Sequence, residues 1–155
     1  MHNSHDHSYK LLFSNPEMVR DLLIGFVQEP WVDELDFATL EKVSGHFVTD
    51  DLRDREDDIV WRVRHQGIWV YVYLLIEFQS TIDRYMAVRV ATYILLLYQD
   101  LIKSKQIGKN ELLPPVFPVV LYNGEKRWDS CTQLGELIID LPGSLKSYKP
   151  DCAYL

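Results

Sequence analysis

The order of elements along the chain, helix, strand, strand, strand, helix, strand, predicts an α/β fold in which helices flank a central sheet. Three stretches carry that prediction. Asp57 to Gln79 holds two extended arms, an amphipathic helix opens at Asn15-Pro16 before them, and a long apolar helix followed by a strand comes after them.

Composition bounds the rest. A chain of 155 residues is about one domain, with enough length for a single core, so 1–155 is expected to form one unit. Hydrophobic content of 47% beside 25% charge is ordinary for a soluble globular protein. No apolar run reaches the roughly 20 residues of a membrane span, and the polar, His-rich start has no signal-peptide character. Cys131 and Cys152 are too few and too isolated for a zinc site or a disulfide framework, so a reducing, cytoplasmic setting is expected. A net charge of −7 argues against a protein that coats nucleic acid nonspecifically, because that affinity comes from Lys and Arg neutralising phosphates. It does not exclude an enzyme. The acids cluster in Gln28 to Asp36 and Thr49 to Asp58, while Arg62, Arg64, Arg84, Arg89, Lys103, Lys105 and Lys109 could form a basic side or simply a solvated surface.

Each element has its own signal. His2, His5 and His7 sit in a stretch with no core anchor, which reads as a frayed terminus. Tyr9, Leu12 and Phe13 read as core anchors. Asn15 as N-cap, Pro16 at the first helical position and Glu17 in the first turn start a helix that runs to about Val27. Its buried stripe is Met18, Leu22 and Phe26 with Val19 and Leu23. Asp36 to Val43 is ambiguous and reads as a short helical turn around Ala38-Thr39-Leu40 leading into a strand near Glu41 to Val48. An acidic link, Thr49 to Asp57, follows.

The first arm then alternates, Ile59, Trp61 and Val63 on one side, Asp58, Val60, Arg62 and Arg64 on the other. The second arm, Trp69 to Gln79, is rich in β-branched and aromatic residues on both faces, as a central strand covered from two sides should be. Ser80-x-x-Asp83 has the spacing of a capping box and a helix is expected from about Ile82 to Lys103, with Tyr85, Arg89 and Tyr93 on one face. Apolar residues cover most of that helix, which predicts a sandwiched position, a second subunit being one way to complete it. Val116 to Tyr122 reads as a strand, and Pro118 places it at an edge or at a strand start. Thr132 to Ile139 reads as a short segment; Ser144 to Leu155 carries too little pattern to assign.

Glu77 and Gln79 share a strand face. If an even-numbered turn about Gln66-Gly67 joins the arms, Asp58 falls opposite Leu75 or Glu77 on that same face, roughly 5–8 Å from Glu77 between side-chain bases. An odd-numbered turn would oppose Asp58 to Ile76 and part the acids. Two carboxylates at that separation suit one hard divalent ion. The alternative is that Asp58 caps its strand while Glu77 reaches solvent.

Four separated phrases, HDHSYKLLFSNPE, DLRDREDDIVWRV, YLLIEFQS and PPVFPVVLYNGE, together with Asp58 and Glu77-x-Gln79, resemble the recombination-promoting nuclease (Rpn) family of transposase-like proteins within the PD-(D/E)XK nuclease superfamily. The resemblance covers essentially the whole chain. It implies a restriction-endonuclease-like core with a mixed sheet, and a metal-dependent DNA endonuclease acting in recombination or transposition. It implies Mg²⁺ (Mn²⁺ or Ca²⁺ in vitro) on Asp58 and Glu77, with Gln79 orienting the attacking water. Asp6 and Lys10, and Glu17 or Asp21 on the first helix, are secondary candidates on the same ground. Arg89, with Tyr93, Arg62 and Arg84, is the candidate set for DNA phosphates. The superfamily's motif normally ends in Lys, so Gln79 shifts the burden of charge stabilisation to metal or a nearby Arg. That substitution also keeps open a catalytically silent DNA-binding or assembly module. Rpn-type proteins are usually longer, which suggests a truncated member.

Overall fold

A computed structural model describes residues 3–43, 58–77 and 81–155. The elements run α1 (Asn3–Leu12), α2 (Pro16–Phe26), α3 (Pro30–Asp33), β1 (Leu35–Lys42), β2 (Ile59–His65), β3 (Ile68–Glu77), α4 (Met86–Lys103) and β4 (Val116–Tyr122). Two 3₁₀ turns, Leu134–Leu137 and Gly143–Tyr148, follow. The strands form one sheet in the order β1-β2-β3-β4, with β1, β2 and β3 antiparallel and β4 parallel to β3. The parallel pair needs a crossover, and α4 supplies it. The result is the expected mixed sheet flanked by helices, an α/β fold consistent with a restriction-endonuclease-like core. Among the described residues no helix is long and apolar enough to cross a membrane.

The hairpin is even-numbered. His65 pairs with Ile68 across a two-residue turn, Gln66 at φ 49° and Gly67 at φ 82°, the left-handed pair that matches the twist of antiparallel strands. A Cβ at position 67 would meet nothing within 4 Å. Gly67→Ala is therefore expected to destabilise by about 1–2 kcal/mol through backbone strain alone; a urea midpoint unchanged from wild type would show that the turn relaxes instead.

Alternation along β2 and β3 divides the core in two. Ile59, Trp61, Val63, Val72, Leu74 and Ile76 meet Val19 and Leu23 of α2 on one face. Tyr71, Tyr73 and Leu75 meet Met86, Val90, Tyr93, Leu97 and Leu101 of α4 on the other. Every residue of β3 from Tyr71 to Glu77 is buried, the outcome of covering both sides. The indole of Trp61 donates to the Phe13 carbonyl at 2.9 Å, tying the end of α1 to the sheet.

Asn15 caps α2 as its sequence predicts, accepting from the Glu17 N–H at 3.0 Å. Pro118 lies on the sheet's edge strand, as expected; the neighbouring Val120 N–H points away from β3, to the Leu155 carbonyl, and Leu155 N–H returns to the Pro118 carbonyl. Several expectations are corrected. The His-rich start is helical from Asn3 instead of frayed, and the helix is closed by Phe13 N–H on the Tyr9 carbonyl and the Ser14 hydroxyl on the Lys10 carbonyl. Leu12, the last residue of α1, is 40% exposed, and Phe26 is 73% exposed because α2 ends there and Val27 turns into the core in its place.

The ambiguous stretch after Asp36 is strand, not a helical turn. Its register shifts between Asp36 and Glu41, where the Asp36 carboxylate accepts Ala38 N–H and the Thr39 hydroxyl donates to the Asp36 carbonyl. Such local side-chain bonds buckle a strand and blur its period. The part of that expectation beyond Val43, and the acidic link, lie outside the described residues. α4 begins at Met86, four residues later than expected: the Asp83 carboxylate accepts Tyr85 N–H and its carbonyl accepts Met86 N–H, which holds 83–85 in a turn. Ser80 lies outside the described residues. Finally, among the described residues α4 is covered on one side; Val88, Leu95 and Ile102 are exposed at intervals of seven.

Candidate metal centre

The even turn decides where Asp58 points. Ile59 pairs with Leu74, so one further step along the ladder sets Asp58 beside Leu75 and diagonal to Glu77, on the face that α4 covers. Diagonal neighbours in an antiparallel pair lie about 7–8 Å apart. The hydroxyl of Tyr73, diagonal to Asp58 on the side away from Glu77, donates to Asp58 Oδ2 at 2.7 Å. Its ring stacks on Tyr93 of α4, centroids 6.2 Å apart and planes 14° off parallel.

Glu77 is 8% exposed, and a carboxylate so buried needs a counter-charge. Arg89 provides it from the second turn of α4. Its Nη2 lies 2.7 Å from Glu77 Oε1, its Nη1 3.2 Å from Asp83 Oδ2, and its Nε donates to the Tyr93 hydroxyl at 3.4 Å. Burial alone would lower the Arg89 pKa; the bond to Tyr93 and the charge of Glu77 outweigh it and raise the pKa, so the guanidinium is permanently charged. A chain of side chains, Asp58, Tyr73, Tyr93, Arg89, Glu77, Asp83, thus spans β2, β3 and the start of α4.

The donor set fits a hard cation in kind: two carboxylates from neighbouring strands on one face, one of them buried. Among the described residues no group of three or more His, Cys, Asp or Glu side chains converges on one point, so the described donors are this pair. That is the donor count typical of Mg²⁺, which keeps waters and takes substrate phosphate as ligands.

Other expected site residues fall elsewhere or outside view. Gln79 and the side chain of Asp6 lie outside the described residues. Lys10 ends α1. Glu17 and Asp21 are exposed on α2, which packs on the opposite face of the sheet from Asp58 and Glu77. Arg84 is exposed, its guanidinium 5.6 Å from the Tyr85 ring, and Tyr85, exposed as well, is the N-cap residue of α4. Arg62 is ion-paired with Glu41, and Arg62 and Arg64 both lie against the Trp69 ring, 4.3 and 4.0 Å from its centroid. Both arginines share the sheet face of Asp58. Two participants escaped the sequence reading as site residues, Tyr73 and Asp83. The signal for Tyr73 was present, since it lies four residues before Glu77 on the same strand face.

A family profile described as "Putative transposase, YhgA-like" matches residues 3–155. Recombination-promoting nuclease RpnA of Escherichia coli K12 is 32% identical over 120 residues, which cover 77% of this chain and 40% of that protein. RpnD of E. coli O157:H7 is 30% identical over 130 residues, 82% of this chain and 49% of RpnD. The inactive recombination-promoting nuclease-like protein RpnE of E. coli K12 is 30% identical over 121 residues, 78% of this chain and 39% of its own length. The chain therefore spans less than half the length of these curated relatives. No solved structure matches it.

Proposed function

Because this chain belongs to the YhgA-like transposase family that includes recombination-promoting nucleases, we propose that it forms the core of a metal-dependent DNA endonuclease serving recombination or transposition. One observation supports the reading above the others: Asp58 and Glu77 share a sheet face, and each is held by a hydrogen bond from a buried or half-buried neighbour. Asp58 and Glu77 would hold Mg²⁺, with Mn²⁺ or Ca²⁺ as substitutes in vitro. Such an ion supplies Lewis-acid polarisation of a phosphate oxygen and a bound water of lowered pKa. The chain's own residues do the rest. Gln79 orients the water. Arg89 holds Glu77 in place; its three nitrogens are each engaged, so its contribution to phosphate binding requires exchange of one partner.

Phosphate contacts fall more naturally to Arg62 and Arg64, stiffened on Trp69 along the strand that starts beside Asp58. Arg64→Ala should weaken DNA binding evenly across sequences and reduce the slope of log K against log salt by about 1. An unchanged slope would remove Arg64 from the contact set. We place the protein in the cytoplasm, where the free thiols of Cys131 and Cys152 persist, and assign homodimerisation to the exposed stripe Val88, Leu95 and Ile102.

The test is incubation with supercoiled plasmid. Relaxed or linear product is expected with Mg²⁺, none with EDTA, and none with Asp58→Asn. Cleavage that survives either treatment rejects the assignment. A second reading, a module that binds DNA or assembles without cutting it, is favoured by RpnE, a relative as similar as the others and named inactive. Tight plasmid binding with no cleavage under any divalent ion would select it.

A further inference from the structure

We infer that a second copy of this chain covers α4, the two helices lying side by side, parallel and in register. The inference rests on the homodimer assigned above to the stripe Val88, Leu95 and Ile102, and adds its direction. From Met86 to Ile102 the exposed residues of α4 are Val88, Thr92, Leu95, Gln99 and Ile102, separated by four, three, four and three positions. That is the a/d spacing of a coiled-coil seam, with Val88, Leu95 and Ile102 at d and Thr92 and Gln99 at a. On the other side of the helix Val90, Tyr93, Leu97 and Leu101 are buried in the chain's own core. Val88, Leu95 and Ile102 are 43%, 60% and 55% exposed, and none of the five seam residues carries a charge. A face without charge, its apolar residues repeating along one line, is complementary to itself, as the shared patch of a two-fold pair must be.

Direction follows from what each layer of the seam would contain. Parallel helices in register set every residue against its own copy, so Val88, Leu95 and Ile102 make three apolar layers with Thr92 and Gln99 in polar layers between them. Reversing one helix sets d against a, and Leu95 would then face Thr92 or Gln99 of the second copy. The polar layers of the parallel pair cost little. The Thr92 hydroxyl already donates to the Val88 carbonyl at 2.9 Å, and the Gln99 amide can donate to the amide oxygen of its copy across the axis. They also fix the register, since a slip would bury them against leucine or isoleucine. Arg89, which holds Glu77 and Asp83, lies near the first end of α4. Parallel pairing therefore brings the two candidate sites to one end of the dimer, within reach of a single duplex. Reversed helices would set them at opposite ends of an 18-residue helix, about 27 Å apart along it.

Sedimentation equilibrium and cysteine cross-linking test this without any cleavage assay. Wild-type chain is expected to sediment as a dimer. Leu95→Glu, a change on an exposed position, sets two carboxylates face to face across the axis and should weaken the dimer by roughly a hundredfold or more with the circular dichroism unchanged. Val88→Cys and Ile102→Cys, each oxidised alone by oxidised glutathione, should give a covalent dimer, because a disulfide needs Cα atoms within about 7 Å. Peptide mapping of the 88–88 or 102–102 bond distinguishes it from links through Cys131 or Cys152. Cross-links that form only when the two variants are mixed, joining 88 to 102, mean reversed helices; they overturn the inference and leave the homodimer standing. Wild-type chain that stays monomeric at every concentration, or a dimer that Leu95→Glu leaves intact, removes the assignment of homodimerisation to this stripe, and the inference with it.

Discussion

Arg89→Met is expected to lower the free energy of unfolding by about 3–5 kcal/mol, the cost of stranding a buried charge by removing its partner. Glu77 closes β3 with only 8% of its surface exposed, and among the described residues Arg89 is the cation bonded to it. Methionine keeps an unbranched apolar stem of similar length, so the loss reports the charge and its hydrogen bonds more than packing. The pH dependence follows from the direction of the shift. The folded pKa of Arg89 is raised above its ordinary value, so the stabilisation is fully present below the unfolded pKa and is lost only as pH climbs through the folded one, beyond any working range. Urea unfolding followed by circular dichroism at pH 7 and pH 9 should give the same deficit. Arg89→Lys should recover part of it, since an ammonium supplies the charge but cannot hold Glu77, Asp83 and Tyr93 with one planar fork. A deficit below about 1 kcal/mol, the value of a solvated ion pair, would mean that Glu77 finds water in the folded chain.

Much of this arrangement was legible because it depends on parity. Strand periodicity put Ile59, Trp61 and Val63 against Asp58, Val60, Arg62 and Arg64, and the two-residue turn at Gln66-Gly67 then left a single register, with Asp58 on the Glu77 face. The start of α2 was legible for a similar reason: Asn15 and Pro16 act on their own neighbours. What escaped depends on competition between equally local bonds. Asp83 could cap a helix from 80 or hold a turn before 86, and the bond to Tyr85 N–H decides for the turn. Asp36 and Thr39 divert backbone groups from the β1 ladder and hide the strand inside an irregular period. Tyr73 was hidden differently. On β3 it is one aromatic among several core residues, and only the position of Asp58 across the ladder distinguishes it from a packing residue.

Glu77→Gln should invert the balance seen for Arg89→Met, abolishing Mn²⁺ binding and plasmid cleavage while costing less stability. Glutamine is nearly isosteric with glutamate, so the pocket at the end of β3 stays filled, and its carbonyl can still accept from Arg89. The arginine left behind is not stranded. It keeps Asp83 at 3.2 Å, and 24% of its side chain is exposed, so water reaches the fork. The expected penalty is about 1–3 kcal/mol, that of weakening a charged hydrogen bond. Cation binding suffers far more, because an amide oxygen brings no negative charge to the ion. Partners one step removed from a metal ligand typically cost ten- to a hundredfold in affinity when lost, so losing a ligand should cost roughly a hundredfold or more. The two variants therefore separate a structural from a ligating role for the same acid. If Glu77→Gln binds Mn²⁺ like wild type yet unfolds as readily as Arg89→Met, then Glu77 serves the fold alone, and the ion pair at the end of β3 is a strut with no part in a metal centre.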